Sequence, residues 1–232
     1  MTSSVYGRGV MLLLFDIAAE AVAEHDHWHT HEHMPERLGI PGFLRGSRWI
    51  GLDAGAHYCV LYEVAALAVL DSAAYRERLD HPTPWTSAMM PKYRDMRRAL
   101  CTVEASSGCG MGTTALVIRF APADGQSGEL DRWLTDEILT GLAPRPGIAS
   151  CHLFRNALAA SMTREQEIRG RDGTVHSALF VTGYDEAVVA ALARDELVPE
   201  RFAAFGAVSA EYGARLYRQS YSLSAAEIRA AP

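Results

Sequence analysis

The chain has 232 residues, of which 49% are hydrophobic and 22% charged, and its formal net charge at pH 7 is −6. This balance supports packed cores and excludes disordered, collagen-like and coiled-coil architectures for the chain as a whole. The negative charge repels phosphate backbones and anionic lipid, so we expect neither a nucleic acid nor a membrane as a partner. The four cysteines form no CxxC pair, and we expect a cytoplasmic protein without disulfides.

The first predicted element is a buried strand over the apolar run Val10–Phe15, which is too short to span a membrane. An amphipathic helix follows it, and Ala18, Ala21 and Val22 define the inward stripe of this helix. The helix continues into a histidine cluster, because five of the nine histidines occupy every second position from 25 to 33. This cluster is the most unusual feature of the composition.

The helical phase divides the cluster into two sets. At about 100° per residue, the inward stripe continues through His25, His29 and His33, whereas His27 and His31 point outward. Other side chains that could bind a ligand or transfer a proton fall on or beside the inward stripe: Trp28, Glu32, Glu36 and Arg37. The inward face therefore changes along the helix from apolar to Trp, His and Glu.

The chain contains an internal repeat. Residues Trp28–Trp49 align without a gap to Trp133–Phe154 at a constant offset of 105, with identity at five of 22 positions. Chance gives about one identity at average residue usage. The match continues from His57–Val64 to His176–Gly183 once 14 additional residues are allowed after Asn156. We expect the polar insertion 157–173 to form an exposed hairpin extension.

Each half has the same order of elements: a strand, a helix, two extended segments after a Pro-Gly pair, a helical region and a closing strand. This β-α-β-β-α-β order is ferredoxin-like. The sequence therefore predicts an α+β protein in which two tandem ferredoxin-like repeats pack sheet to sheet as an intrachain α+β barrel. The first repeat covers 1–104, a Gly-rich linker covers 105–113, and a degenerate second repeat covers 114–232.

The two halves differ in the polar set of the first helix. Where the first half has His29, His33, Pro35, Glu36 and Arg37, the second has Leu134, Ile138, Thr140, Gly141 and Leu142. One interpretation is that the polar side chains only satisfy each other. The other is that they line a pocket where a histidine beside a carboxylate moves protons near neutral pH. The asymmetry favours the pocket, because a set required by the fold would occur in both halves.

A metal site is an alternative. The segment His29–His33 matches the pattern H-x-x-E-H, and its two end histidines have the i, i+4 spacing that can place two imidazoles on one zinc or iron. A third ligand would be His25, His57 or His81. A further alternative is a non-catalytic barrel that binds a small ligand in an apolar pocket.

The motifs Glu32-His33-x-Pro35-Glu36-Arg37, Ile40-Pro41-Gly42-Phe43 and Pro82-Thr83-Pro84-Trp85 resemble bacterial members of the dimeric α+β barrel superfamily, near the EthD-like and muconolactone-isomerase-like groups. Superfamily members include cofactor-free isomerases, decarboxylating or cyclising enzymes, monooxygenases and tandem-repeat haem enzymes, so the resemblance leaves the reaction open. It implies a pocket near Trp28, Glu32, His33 and Arg37 that the Pro-rich segment with Trp85 closes.

The sequence predicts a cofactor-independent isomerase or lyase/cyclase that acts on a small oxo- or hydroxy-carboxylate or an aromatic catabolic intermediate. We expect His33 to be the general acid/base, with Glu32 or Glu36 as its orienting partner and His29 as a second proton carrier. The predicted substrate-binding residues are Trp28, Arg37, Arg45, His81, Trp85 and Met89. A homodimer is allowed but not required.

Overall fold

The computed structural model describes residues 5–158 and 162–230. They form two compact units. Within these residues, the first-repeat unit comprises 6–102, 157–158, 162–174 and 220–230, and the second-repeat unit comprises Val5, 103–156 and 175–219. The insertion thus belongs to the unit of the first repeat, although it lies within the second repeat in sequence.

The elements follow in chain order, and 3-10 turns occur at Ala19–Ala21, Leu67–Asp71, Met90–Lys92 and Ser209–Glu211. The first repeat contains β1 (Gly9–Ile17), α1 (Val22–Trp28), a π-helical turn (His29–His33), α2 (Met34–Leu38), β2 (Phe43–Gly51), β3 (His57–Val64), α3 (Ala73–Asp80), α4 (Pro84–Met89) and β4 (Tyr93–Gly108). The remaining chain contains β5 (Thr114–Phe120), α5 (Ser127–Arg132), a π-helical turn (Trp133–Leu139), α6 (Thr140–Leu142), β6 (Ile148–Leu158), α7 (Arg164–Arg169), β7 (Gly173–Thr174), β8 (Ser177–Gly183), α8 (Glu186–Ala191), a π-helical turn (Leu192–Glu196), α9 (Pro199–Ala204), β9 (Gly213–Ser224) and α10 (Ala225–Ala230).

Both repeats have the ferredoxin-like strand order. In the first, β1 pairs antiparallel with β3 and β4, and β3 pairs antiparallel with β2. In the second, β5 pairs antiparallel with β8 and β9, and β8 pairs antiparallel with β6. The α+β class and the two ferredoxin-like repeats are therefore confirmed. In the described residues, no helix combines the length and the apolar composition needed to cross a membrane.

The helix that carries the histidine cluster is continuous from Val22 to Leu38. It passes through a π-helical turn in which the N–H of Met34 donates to the carbonyl of His29. Pro35 follows directly after this widened turn, and the helix continues through it to Leu38. A π-helical turn at Trp133–Leu139 occupies the same place in the second repeat. The widened turn is therefore a property of the repeat rather than of the polar set.

Burial confirms the predicted phase of the cluster. His25, His29 and His33 are 0%, 2% and 8% exposed, whereas His27 and His31 are exposed. The inward histidines continue the stripe that buries Ala21 against the sheet, as a 3.6-residue periodicity requires.

The Pro-Gly pair makes the same turn in both repeats. Gly42 and Gly147 have positive φ angles of 95° and 90°, a conformation that L side chains rarely adopt. A Cβ atom on Gly42 would also lie 2.5 Å from a methyl group of Val69. This turn starts β2 in the first repeat and β6 in the second, which supports the alignment of the two.

Two sequence expectations differ from the structure. Strand β4 continues to Gly108, so the first residues of the Gly-rich segment 105–113 lie in a strand. The insertion is not an exposed hairpin: it contains helix α7, in which Glu165 and Gln166 are buried. Its polar side chains find charged or polar partners, Arg37 for Glu165 and Asp172 for Gln166, and this pairing allows a polar segment to be buried.

Candidate active site

The first-repeat unit contains a small cavity of about 30 Å³. Apolar and aromatic side chains form much of its wall: Met11, Leu13, Tyr62, Tyr75, Tyr93 and Met96. Polar and charged side chains converge on it from α2, β4, the π-helical turn and the insertion: His33, Arg37, Arg98, Thr163, Glu165 and Arg169. An apolar cavity with a few converging polar groups is typical of a small-molecule site.

His33 is the histidine of the cluster that lines this cavity. Its ring centroid lies 4.4 Å from that of Trp28, and its Nδ1 atom is buried without a hydrogen-bond partner among the described residues. Burial lowers the pKa of His33 well below its usual value, and the positive charge of Arg37 lowers it further. The imidazole is therefore neutral at neutral pH and can accept a proton.

His29 and His25 follow behind His33. The His29 and His33 rings are tilted with centroids 5.7 Å apart, and the His25 and His29 rings are stacked at 5.5 Å. A hydrogen bond of 3.3 Å joins His29 Nε2 to the hydroxyl of Tyr62. Burial lowers the pKa of both histidines, although a hydrogen bond from His25 to Asp26 opposes this shift in His25. His29 therefore lies behind the side chains that line the cavity and does not line it itself.

Arg37 supplies a buried positive charge. Its Nη2 atom donates a hydrogen bond to Glu165, and its Nη1 atom lies 3.6 Å from Glu36 Oε2 but makes no hydrogen bond within the described residues. Burial lowers the pKa of the guanidinium. The nearby carboxylate of Glu165, the phenol group of Tyr75 and the carboxylate of Glu36 outweigh this effect, so the pKa of Arg37 is raised. Arg37 is therefore charged throughout the accessible pH range.

Arg98 approaches the cavity from β4, and its Nη2 atom donates a hydrogen bond of 3.1 Å to the hydroxyl of Tyr75. Four buried polar atoms of the cavity residues have no hydrogen-bond partner in the described part of the chain: His33 Nδ1, Arg37 Nη1, Arg98 Nε and Thr163 Oγ1. Each such atom costs about 1–3 kcal/mol. A ligand that carries oxygen atoms would satisfy several of them at once.

The two predicted carboxylate partners of His33 have other roles. Glu32 accepts hydrogen bonds from Trp28 Nε1 at 3.1 Å and from the hydroxyls of Thr83 and Thr86 at 2.6 and 3.3 Å. Glu36 lies between Arg37 and Arg78, at 3.6 and 3.7 Å, and burial raises its pKa despite these two cations. His33 makes no hydrogen bond to either carboxylate.

Four predicted substrate-binding residues lie away from the cavity. Arg45 pairs with Glu63 at 2.6 Å, and Glu63 points to the opposite face of β3 from the cavity residue Tyr62, since side chains alternate along a strand. His81 is on the surface beside Glu77. Trp85 packs near the outward His27, with ring centroids 5.4 Å apart. Met89 is buried in the core, and the neighbouring Met90 lines the cavity instead. Trp28 packs behind His33, and only Arg37 of this set lines the cavity.

The three inward histidines do not fit a metal well. Their rings follow one another along the helix with centroids 5.5 and 5.7 Å apart, and Asp26 and Tyr93 lie beside the nitrogens of His25 at 3.2 and 3.5 Å. His57, a predicted third ligand, contacts Asp16 at 2.5 Å. Within residues 5–158 and 162–230, no group of three His, Cys, Asp or Glu side chains is placed to hold a metal.

Sequence reasoning missed several cavity residues. The insertion supplies Thr163, Glu165 and Arg169, and strand β4 supplies Tyr93 and Arg98. One signal was available: 14 polar residues interrupt an otherwise matching repeat. That signal does not say where the segment folds, because its position depends on the partner that Arg37 offers to Glu165.

The second repeat buries apolar residues at the corresponding helix positions. Leu134, Ile138 and Leu142 are 0%, 6% and 1% exposed and belong to the core of the second-repeat unit. Burial at these positions is thus common to both repeats, whereas polar chemistry is confined to the first.

No protein-family model and no curated protein matches the chain. Solved structures do share its fold. An anthrone oxidase-like protein is 17% identical with a TM-score of 0.71, covering 100% of this chain and 99% of the other. A protein assigned as a monooxygenase from Fusobacterium nucleatum subsp. nucleatum is 9% identical with a TM-score of 0.61, over 94% and 95% of the two chains. A protein assigned as the chlorite dismutase TA0507 is 9% identical with a TM-score of 0.54, over 96% and 97%.

At these identities the likeness concerns the fold. The shared fold is the ferredoxin-like α+β fold, and the likeness extends over nearly the whole chain in each comparison.

Proposed function

We propose that the first-repeat unit is the active centre of a cofactor-independent enzyme that removes a proton from a small oxygenated aromatic compound or oxo-acid. The observation that carries this proposal is the set of unpartnered polar atoms around the cavity, with a neutral imidazole beside two guanidinium groups. The motif around Glu32 and His33 favours the EthD-like and muconolactone-isomerase-like groups among α+β barrel enzymes.

In the proposed reaction, the neutral imidazole of His33 accepts a proton from an acidified C–H bond of the substrate. The electron pair of that bond moves onto the substrate oxygen and forms an enolate, which the N–H groups of Arg37 Nη1 and Arg98 Nε stabilise. The imidazolium of His33 then returns the proton to a different carbon, or a leaving group departs. The first outcome is an isomerisation and the second a lyase or cyclisation reaction.

His29 is a second proton carrier in this scheme, since its ring lies 5.7 Å from that of His33 and forms a hydrogen bond with Tyr62 at the cavity wall. Glu165 keeps Arg37 in place, and Glu32 holds Trp28 behind His33. Glu165 and Glu32 therefore position the reacting groups rather than exchange protons with the substrate.

Proton exchange tests the proposal without knowledge of the final product. A panel of enolisable aromatic ketones and oxo-acids is incubated with enzyme in D₂O, and loss of the acidic C–H signal is followed by NMR. We expect His33→Ala to slow exchange by about 10²–10⁴-fold with a nearly unchanged thermal midpoint. Arg132→Gln is the matched surface control, because Arg132 is exposed and bonds only to a backbone carbonyl.

Because the pKa of His33 is lowered, the acidic limb of the exchange rate should lie below the ordinary histidine value of about 6.5. Equal exchange by wild type and His33→Ala, or no exchange across the panel, would contradict the proposal. Binding of panel compounds without exchange would favour the non-catalytic ligand-binding barrel.

The anthrone oxidase-like neighbour favours a second candidate, a cofactor-free oxidase that begins with the same proton transfer. Here the enolate transfers electrons to O₂: a CH₂ group becomes a carbonyl, one oxygen atom enters the product and the other leaves as water. An oxygen electrode separates the candidates, since turnover that consumes O₂ and stops under nitrogen identifies the oxidase.

A further inference from the structure

A second concave surface of the first-repeat unit lies beside the cavity. This groove has a volume of about 360 Å³ and is formed by the start of β4, Tyr93–Arg97, and by Arg169, Gly170, Arg171 and Gly173 of the insertion. Tyr93, Met96 and Arg169 line both the groove and the cavity. The two spaces are therefore neighbours with a shared wall of three side chains.

The groove carries a surplus of positive charge. Arg169 is held by Asp172, with its Nη2 atom 2.8 Å from both carboxylate oxygens. The other arginines are free of carboxylates within the described residues: Arg94 donates to the carbonyls of Pro91 and Tyr93, Arg97 donates to that of Thr174, and Arg171 is exposed. Asp95 is the acidic residue that lines the groove. On a chain with a net charge of −6, three such arginines form a local site for an anion.

The backbone of β4 is shaped to build this site. The pairing of β1 with β4 shifts so that Phe15 lies opposite both Asp95 and Met96, which is a β-bulge. Asp95 has a φ of 50°, and no other non-glycine residue in the described chain has a positive φ. In a regular strand, positions three apart point to opposite faces. The extra residue of the bulge allows Arg94 and Arg97 to line the same groove.

We propose that the groove is a subsite for a carboxylate carried by the same aromatic substrate. This inference rests on the proposed function, since the reacting oxygen of the substrate faces the cavity near Arg37 and Arg98. A substituent that extends past Tyr93 and Met96 then reaches Arg97 and Arg171. Guanidinium groups bind carboxylates through paired, charge-assisted hydrogen bonds, which suits an acidic substituent. The substrate class is therefore an aromatic hydroxy- or oxo-compound with a distal carboxylate.

The test compares two probes that differ only in the acid group, 6-hydroxy-2-naphthoate and 2-naphthol, by isothermal titration calorimetry. We expect wild type to bind the naphthoate about tenfold more tightly than the naphthol, the factor that one charge-assisted contact provides. Arg97→Gln/Arg171→Gln should reduce this preference to about twofold or less and leave naphthol affinity unchanged. Arg132→Gln, which removes an exposed arginine of the second-repeat unit, should keep the preference.

The subsite is overturned if wild type does not prefer the naphthoate, which includes no binding of either probe, or if the preference survives the double substitution. The His33→Ala protein separates this result from the proposed function, because its groove is intact. A naphthoate preference without any proton exchange by wild type overturns the catalytic proposal alone. Proton exchange without a naphthoate preference overturns the subsite alone.

Discussion

The two repeats carry different side chains at equivalent positions of their first helices. Three positions of the first helix are buried in both copies, as His29, His33 and Arg37 in one and Leu134, Ile138 and Leu142 in the other. The apolar set needs no partners. The polar set needs Tyr62 for His29 and Glu165 for Arg37, and it leaves His33 Nδ1 without a partner among the described residues. The fold therefore does not require the polar set, and its presence in one repeat is better explained by function.

The largest effect is expected when two buried histidines of the first repeat are replaced by the apolar residues found at the equivalent positions of the second. We expect His29→Leu/His33→Ile to lose about 10²–10⁴-fold in turnover, because no imidazole remains to accept the proton. Stability at pH 7 should not decrease, since two buried polar atoms without partners are removed. Turnover assays and urea unfolding measure the two effects, with Ile138→Val as the control. Retained turnover would show that chemistry does not depend on this helix.

Arg37 and Glu165 form the buried ion pair for which the second repeat has Leu142 instead. Replacing either partner alone by Leu should destabilise the protein by about 3–5 kcal/mol, because an uncompensated charge stays buried. The double substitution Arg37→Leu/Glu165→Leu should recover most of this loss, as an apolar pair satisfies the same space. Urea unfolding of the four proteins completes the cycle. Additive losses would mean that the pair is not coupled.

The pH dependence of stability should differ between the repeats because the three inward histidines belong to the first. Their pKa values in the folded protein are lowered, chiefly by burial. Below about pH 6.5 the unfolded chain binds more protons than the folded one, so the free energy of unfolding decreases as the pH falls. His29→Leu/His33→Ile should reduce this slope by about 1.4 kcal/mol per pH unit for each histidine removed. Parallel curves for the two proteins from pH 5 to 7 would contradict the assignment.

The second helical regions also differ at their start. Thr83 caps α4, since its hydroxyl oxygen accepts from the N–H of Thr86 at 3.0 Å, and the same hydroxyl donates to Glu32. In the second repeat Val198 precedes Pro199 without a side-chain cap. Thr83→Val should cost about 1–2 kcal/mol, and Val198→Thr is the converse variant, expected to be neutral or stabilising. An unchanged urea midpoint for Thr83→Val would show that the Thr83 cap does not stabilise the protein.

Metal removal should have the smallest effect. If the histidine cluster acts through proton transfer alone, untagged protein dialysed against a chelator retains its proton-exchange activity. Elemental analysis before and after dialysis provides the check. Loss of activity that zinc or iron restores would favour the metal-dependent alternative with His25, His29 and His33.

Local periodicity was enough to predict the order of strands and helices along the chain and the phase of the first helix. The inward and outward histidines followed from 3.6-residue spacing alone, and the Pro-Gly turns from the conformational freedom of Gly42 and Gly147. The partners of the site were harder to predict. Glu32 was expected beside His33, but Thr83 and Thr86, about 50 residues away in sequence, compete for its carboxylate, and no local pattern encodes such a contact.

The sequence by itself determined the two ferredoxin-like repeats, the burial of three histidines and the restriction of the polar set to one copy, because periodicity and self-similarity act over short distances along the chain. Tertiary structure decided which polar groups surround the cavity. Glu165 is buried beside Arg37 because a buried guanidinium requires a counter-charge, and the bulge at Asp95 turns two arginines towards one groove. Both depend on pairings between segments far apart in sequence, which only the folded chain brings together.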